Sequence, residues 1–212
     1  MYLPPQFAAQ DRAIAAELIR THPFASLVSN DDDGLPYISH LPFVLDEQSG
    51  KGEKSEEGGL TLLGHCARPN PHWRHLQARP RAVVAFLGPH AYMSPSVYPD
   101  LARVPTWNYL AVHCTVEARI VDAPDEKDAL LKRLIAQHEP AYAEQWRGLG
   151  EDFQRKMLMG MVGFSLRVVA LQCKVKLNQH RPEARAAMLS VYGAGSPDER
   201  ALAAWMARLE TK

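Results

Sequence analysis

One short segment of the sequence combines a helix start with a cationic side chain. Asn70 and Pro71 are residue types that favour the first positions of a helix, and Arg68 precedes them. The first N–H groups of a helix have no partners within the helix, and an arginine fork adds charge-assisted donors, so together they suit a phosphate group. Alternatively, Arg68 pairs with a surface carboxylate and Asn70 only caps the helix. The residues alone leave both interpretations open.

Histidines are frequent in the same region. His72 and His75 are three residues apart, a spacing that can place two metal ligands on one helix face. No carboxylate or further cysteine falls at a matching spacing, however, and Cys66 points to the opposite strand face from His65. We therefore predict no metal site.

Two neighbouring segments, Gly88–Tyr98 and Val104–His113, are rich in aromatic and polar residues. Planar side chains such as Trp107 and amides such as Asn108 can sandwich and hydrogen-bond a heteroaromatic ring. Composition alone favours the simpler interpretation, in which these aromatics belong to an ordinary barrel core.

The last third of the chain is locally basic between Arg167 and Arg185. A solvated face explains such a stretch most simply, whereas a phosphate contact or a nucleic-acid patch are the more specific alternatives.

The elements that must position these residues follow from hydrophobic periodicity and from start and stop signals. Residues 31–34 predict a tight turn, and residues 46–59, which contain no large apolar residue, predict a solvated loop. The predicted strands are Phe24–Asn30, Leu35–Leu45, Leu60–Cys66, Arg81–Leu87, Thr106–Val121 (one bent strand or two paired ones) and Met161–Lys176. The predicted helices are Gln10–His22, Pro71–Gln77, Pro124–His138, Glu151–Met159, Pro182–Tyr192 and Pro197–Glu210.

Strands run together in this pattern, with helices at both ends and one helical insertion. A doubly wound parallel sheet would instead alternate strands with helices, and neither GxGxxG nor GxxxxGK[ST] occurs. We predict a mainly β fold with flanking helices, of the α+β class, as an antiparallel barrel. Its 212 residues suit a single domain with a helical C-terminal segment at about 182–210.

Composition excludes several classes of protein. Lys+Arg and Asp+Glu are 24 each, so zero net charge gives no global field to hold nucleic acid or an anionic membrane. No apolar run approaches the roughly 20 residues that span a bilayer, and no secretory signal is evident. The three cysteines form no CxxC pair, which favours a reducing, cytoplasmic location.

Several long motifs resemble the PaiB-like FMN-binding proteins, and the similarity runs along nearly the whole chain. The matching segments are Met1–Phe7, His22–Pro23, His40–Phe43, Gly64–Trp73, Gly88–Tyr98, Val104–His113 and Lys176–Ala184. The resemblance implies an FMN-binding split barrel related to the pyridoxamine-phosphate oxidase and flavin reductase folds, normally a homodimer. Members of that family are often labelled negative transcriptional regulators.

The resemblance also implies which residues would hold FMN. Arg68 and Asn70 are the first candidates for its phosphate, with Lys176 and Gln179 as second contributors. The isoalloxazine edge would be held by Trp107 and Asn108, reaching from one subunit toward the flavin of the other, with His40 and Pro42 near it.

Three functions follow as hypotheses. The first is an FMN-dependent flavoprotein, either oxidoreductase-like or a flavin-sensing regulator. The second is a transcriptional regulator that binds DNA, although zero net charge and the lack of a helix-turn-helix pattern with a basic recognition helix argue against direct binding. The third is a split-barrel haem-binding protein that uses one of the nine histidines. An absorption spectrum would distinguish flavin from haem.

Overall fold

The computed structural model describes residues 1–47, 59–100 and 102–209. Within these residues the chain forms seven strands and seven α-helices. The strands are β1 (Phe24–Asn30), β2 (Pro36–Pro42), β3 (Val44–Asp46), β4 (Thr61–Ala67), β5 (Arg81–Met93), β6 (Thr106–Val121) and β7 (Met161–Lys176). The helices are α1 (Arg12–Thr21), α2 (His72–Ala78), α3 (Pro124–His138), α4 (Tyr142–Gly148), α5 (Glu151–Met159), α6 (Arg185–Gly193) and α7 (Pro197–Leu209).

All seven strands belong to one sheet, in the order β2-β1-β5-β6-β7-β4-β3. β1 pairs antiparallel with both β2 and β5, and β4 pairs antiparallel with both β3 and β7. The α+β class predicted from the sequence is confirmed, and Thr106–Val121 is a single strand.

A tight turn joins β1 to β2, as the sequence predicts. The Asp31 carboxylate accepts hydrogen bonds from the backbone N–H groups of Asp33 and Leu35, at 3.0 and 2.8 Å. Gly34 has φ +81°, a left-handed conformation that glycine adopts without steric cost. The returning strand is shorter than predicted, because the chain breaks at Phe43 between β2 and β3.

Part of the predicted loop at 46–59 is wrong. Asp46 ends β3, is buried, and accepts a hydrogen bond from Arg133 of α3. A charged residue normally indicates exposure, but a carboxylate can be buried where it has such a partner. The charge of Asp46 therefore led to a wrong prediction of a solvated loop. Residues 48–58 of that prediction lie outside the described residues.

β5 is longer than predicted, because the strand continues beyond Leu87 through Gly88 and Pro89 to Met93. A Cβ at Gly88 would lie 3.0 Å from Leu18 Cδ2 and 3.3 Å from the Leu110 carbonyl oxygen. The glycine therefore serves close packing inside the strand rather than a turn.

The chain divides into two compact units. Unit 1 comprises Met1–Thr21, Leu87–Val112 and Gln172–Lys212, and unit 2 comprises His22–Phe86 and His113–Leu171. Phe43 and Phe86 meet edge-on in the core of unit 2, 6.1 Å apart. A second cluster in unit 2 joins the helical insertion to the strands, through Val44, Leu130, Leu134, Ile135, Trp146, Leu158 and Met161.

The helices agree with prediction at α1, α2, α3 and α5, and the C-terminal segment forms α6 and α7. Helix α4 was not predicted. None of the described helices combines the length and apolarity that crossing a bilayer requires.

Candidate functional site

The eight residues predicted to contact a cofactor divide equally between the two units. Unit 2 holds Arg68, Asn70, His40 and Pro42, and unit 1 holds Trp107, Asn108, Lys176 and Gln179.

Arg68 follows the end of β4, where β4 pairs with the start of β7. Its Nε donates to the Met159 carbonyl oxygen at 2.8 Å, and its Nη2 donates to the Asp122 carboxylate and to the Met161 carbonyl oxygen. Within the described residues Nη1 has no hydrogen-bond partner, and the side chain is 37% exposed. Arg68 is thus held in place with one terminal nitrogen available.

The charge around Arg68 is positive in sum. The buried Lys127 ammonium also donates to Asp122, at 3.0 Å, so two cations share one carboxylate. The hydrogen bond from Arg68, with a further contribution from Lys127, lowers the pKa of Asp122.

Asn70 begins a buried polar network at the start of α2. Its Oδ1 accepts from the His72 backbone N–H at 3.0 Å, and its Nδ2 donates to Ser39 Oγ at 3.0 Å. The His72 ring lies between two hydroxyls, with Nδ1 2.8 Å from Ser39 Oγ and Nε2 3.0 Å from Ser29 Oγ. Burial and the neighbouring His75 lower the pKa of His72 to about 4, so the ring is neutral at pH 7.

His40 and Pro42 lie on β2, where His40 is exposed. His40 Nδ1 lies 3.0 Å from Ser26 Oγ, and its ring is 6.4 Å from that of Phe24 on the paired strand. Phe24 and Ile38 are both exposed, at 66% and 53%. His40 therefore stands among apolar side chains that reach solvent.

Trp107 belongs to an exposed aromatic surface, formed by His90, Tyr92 and Trp107 of β5 and β6. The Trp107 ring meets the His90 ring edge-on at 5.6 Å and the Tyr92 ring at 6.5 Å. Trp107 is 52% exposed and Tyr92 53%. These residues and the start of α7 line an open groove of about 480 Å³. Trp107 therefore does not pack in the barrel core, as the simpler interpretation of the sequence would have it.

Asn108, by contrast, is fully buried. Its Nδ2 donates to the Tyr192 hydroxyl at 3.1 Å, while its Oδ1 is buried with no hydrogen-bond partner in the described residues. Burial raises the pKa of Tyr192 to about 12. In this structure Asn108 supports Tyr192, and its predicted contact with flavin stays a prediction.

Lys176 lies at the end of β7, beside Trp107. Its ammonium donates to Thr106 Oγ1 and to the Trp107 carbonyl oxygen. Lys174, two residues earlier, was not predicted as a site residue, although alternation along a strand puts residues i and i+2 on one face. Both ammonium groups lie near the Tyr109 ring, 5.3 and 6.0 Å from its centroid.

Gln179 holds the turn that follows β7. Its Oε1 accepts from the Leu177 N–H at 2.9 Å, and its Nε2 donates to the Val175 and Gln6 carbonyl oxygens. Both ends of the amide are therefore occupied by the backbone.

The buried thiols are unsuited to nucleophilic chemistry at neutral pH. Burial raises the pKa of Cys66 and of Cys173 to about 11, so both remain protonated. The described residues contain no group of three or more His, Cys, Asp or Glu side chains that could hold a metal ion.

Comparison with known proteins identifies the family and the fold. Residues 1–170 match the family described as "Putative FMN-binding domain". Protease synthase and sporulation protein PAI 2 of Bacillus subtilis is 33% identical over 188 residues, which cover 86% of this chain and 84% of that protein.

Two solved structures have similar folds at low sequence identity. The flavocytochrome Anf3 of Azotobacter vinelandii has a TM-score of 0.59 at 16% identity, over 81% of this chain and 70% of that one. An FAD- and haem-binding protein of Mycobacterium smegmatis has a TM-score of 0.56 at 19% identity, over 80% and 73%. The predicted split-barrel fold class is confirmed.

Proposed function

Because this chain belongs to the family of FMN-binding domains and has FMN as its cofactor, we propose that it is a flavoprotein of the oxidoreductase class. Bound FMN would supply the redox chemistry, and the protein would bind, orient and shield it. A flavin-sensing regulator would bind FMN at the same site. It would differ from an oxidoreductase in that a regulatory partner, rather than a substrate, responds to the redox state of the flavin.

The aromatic surface is the observation that carries this proposal. A planar ring system gains binding energy by lying against aromatic side chains, and Trp107 and Tyr92 are each about half exposed, available for such contact. Among the described residues, Asn108 Oδ1 in unit 1 and His65 Nδ1 in unit 2 are buried with no hydrogen-bond partner, so each unit contains an unsatisfied polar atom. Aromatic side chains together with unsatisfied polar atoms fit a flavin, which needs both an apolar platform and polar contacts.

For the phosphate of FMN we propose the Arg68–Asn70 segment as the first site. Arg68 Nη1 can donate to a phosphate oxygen while Nε and Nη2 keep their present bonds. The surplus of one positive charge among Arg68, Lys127 and Asp122 favours a dianion there. Asp122 would act as a positioning residue that holds the guanidinium plane.

We further propose that the protein is a two-fold homodimer, with flavin at the interface. Large exposed apolar patches are rare on monomers unless they serve binding. Phe24 and Ile38 in unit 2, and Tyr92 and Trp107 in unit 1, expose half or more of their surface. The dimer would cover them, as Trp107 from one subunit reaches the flavin of the other.

A cytoplasmic location belongs to the same proposal. The three cysteines are buried, and the thiols of Cys66 and Cys173 suit a reducing compartment.

DNA binding is the second candidate, favoured by the basic residues between Arg167 and Arg185. Those charges do not form one exposed patch: Arg167 pairs with Glu117, and Lys174 is buried. We expect no sequence-specific DNA binding at physiological salt. A specific footprint whose affinity falls steeply with salt would favour the regulator instead.

An absorption spectrum of the purified protein, before and after saturation with FMN, tests the proposal. We expect flavin bands, bleached reversibly on reduction by dithionite under nitrogen. A Soret band would identify a haem protein, and no bound chromophore after saturation would contradict the proposal.

A further inference from the structure

Two lysines on one face of β7 have no anionic partner among the residues that the structure describes. Lys174 and Lys176 occupy alternate strand positions and approach the same Tyr109 ring. Within the described residues neither ammonium lies within 4.0 Å of a carboxylate oxygen. Their hydrogen bonds go to neutral oxygens alone: the Tyr2 carbonyl for Lys174, at 3.0 Å, and the Thr106 hydroxyl and Trp107 carbonyl for Lys176.

The absence of a counter-charge is costly, because Lys174 is only 7% exposed. Buried charges in proteins are normally paired, because a buried ammonium loses its hydration and needs a partner to compensate. Lys127 of unit 2 shows the usual arrangement: it is similarly buried and is paired with Asp122. Burial, with a further contribution from the adjacent Lys174 charge, lowers the pKa of Lys176, so an anion beside Lys176 would stabilise its charged form.

Lys176 is the accessible member of the pair, and it lies beside the aromatic surface. Lys176 is partly exposed and bonds the backbone of Trp107, whose ring reaches solvent. A ligand anion can contact Lys176, while Lys174 beneath it adds positive potential. A planar ring carried by the same ligand can then lie against Trp107.

We propose that Lys174 and Lys176 form a binding site for an oxyanion of the phosphate-monoester class at the edge of the aromatic surface. This inference rests on the proposed flavin function for its choice of ligand. The phosphate has two possible sources: FMN itself, in place of the Arg68 site, or a second ligand that binds after FMN. Lys176 is the contact residue, and Lys174 acts through the field of its charge.

The test uses Lys176→Met, with Lys156→Met as a matched control, because Lys156 is an exposed lysine on α5. FMN and riboflavin are titrated separately into flavin-free protein, followed by flavin fluorescence. Inorganic phosphate is titrated into FMN-loaded protein by calorimetry. Circular dichroism checks that each variant folds, and Lys176→Gln serves if Lys176→Met does not fold.

We expect one of two results. If the site takes the phosphate of FMN, Lys176→Met weakens FMN at least about 10-fold and leaves riboflavin unchanged. If it takes a second ligand, the flavin affinities stay the same and phosphate binding to the FMN-loaded protein weakens by a similar factor. Lys156→Met should change neither measurement.

The proposal is overturned if Lys176→Met matches Lys156→Met in both titrations, or if FMN-loaded wild-type protein binds no phosphate while the FMN-to-riboflavin preference is unaffected. Failure of the wild type to bind any flavin would contradict the proposed function alone. Phosphate titration of the flavin-free wild type against Lys176→Met would then still decide the anion site.

Discussion

Arg68 shows how one side chain can serve both structure and binding. Three of its hydrogen bonds connect the end of β4 to the end of α5, to the start of β7 and to Asp122, which lies 54 positions away in sequence. The sequence analysis left open a surface carboxylate as the partner of Arg68, and the structure contains that ion pair. No local pattern could identify Asp122 as the carboxylate. Replacing Arg68 by Ala should therefore have two separable effects.

The first effect concerns FMN. Arg68→Ala should weaken FMN by roughly 10- to 150-fold, through loss of a charge-assisted contact worth about 1.5–3 kcal/mol, and should leave riboflavin nearly unaffected. The second effect is a lower Tm, and Asp122→Asn should reproduce it because it breaks the same ion pair. If Arg68→Ala lowers Tm but leaves the FMN-to-riboflavin preference intact, the arginine is structural only.

Trp107 carries a separate prediction about the ring. Trp107→Ala removes an exposed aromatic contact and should weaken riboflavin and FMN alike, by up to about 1.5 kcal/mol or 10-fold, or perturb the bound flavin spectrum. Leu87, an exposed apolar residue of β5, offers a control in Leu87→Ala. Equal affinities and spectra in both variants would contradict a role for Trp107 in the flavin site.

His72 gives a pH-dependent prediction. Its pKa is about 4 in the native protein, against an ordinary value of 6.5 that the unfolded chain restores. Above pH 6.5 the ring is neutral in both states. As pH falls from 6.5 toward 4, only the unfolded chain takes up the proton, so stability is lost progressively, by up to roughly 3 kcal/mol.

Urea unfolding between pH 7.5 and 4 would measure this loss. His72→Gln, which keeps polar contacts without titrating, should flatten the profile over that window even if its overall stability is lower. An unchanged slope in His72→Gln would show that other groups cause the acid sensitivity.

At the scale of elements, periodicity predicted most strands and helices, because alternation along β1 and amphipathicity along α1 reflect burial directly. The elements whose bounds or existence were not predicted differ for physical reasons. Gly88 and Pro89 are usual strand breakers, yet neighbouring strands hold β5 in place around them. Helix α4 is only seven residues long, too short for a clear period. The aromatic segments were singled out, but composition alone favoured a core, and their exposure needed the folded sheet to become visible. Lys174 belonged to the basic stretch between Arg167 and Arg185, but its burial beside Tyr109 could not be read from the sequence.

Gly64 on β4 provides a prediction at this scale. A Cβ there would lie 2.7 Å from Phe43 Cε1, and the Phe43 ring is fully buried between strands. Gly64→Ala should therefore lower the free energy of unfolding by about 1–3 kcal/mol through overpacking. Gly148→Ala is the control, since nothing lies within 4 Å of its Cβ position. Partial rescue by Phe43→Leu would confirm the contact, and a Gly64→Ala as stable as Gly148→Ala would refute it.

At the scale of the whole molecule, the exposed apolar side chains predict assembly. We expect light scattering at micromolar concentration to give a dimer, with an interface well above the roughly 1,000 Å² of a biological contact. Tyr92→Glu should shift the protein toward monomer, because it places a charge in that interface, and Arg155→Glu, on an exposed face of α5, should not. A monomeric wild type would contradict this expectation.

The two end strands of the sheet have a consequence for solubility. An open strand edge presents unpaired backbone groups to which another chain can add, which is a common route to aggregation. The end strand β2 begins and ends with proline, at Pro36 and Pro42, and neither residue has a backbone N–H that could donate to an added strand. At the opposite end, β3 is only three residues long, too short to template a neighbour. Both edges of the sheet therefore disfavour the addition of another strand: β2 because its prolines lack N–H donors, and β3 because it is short.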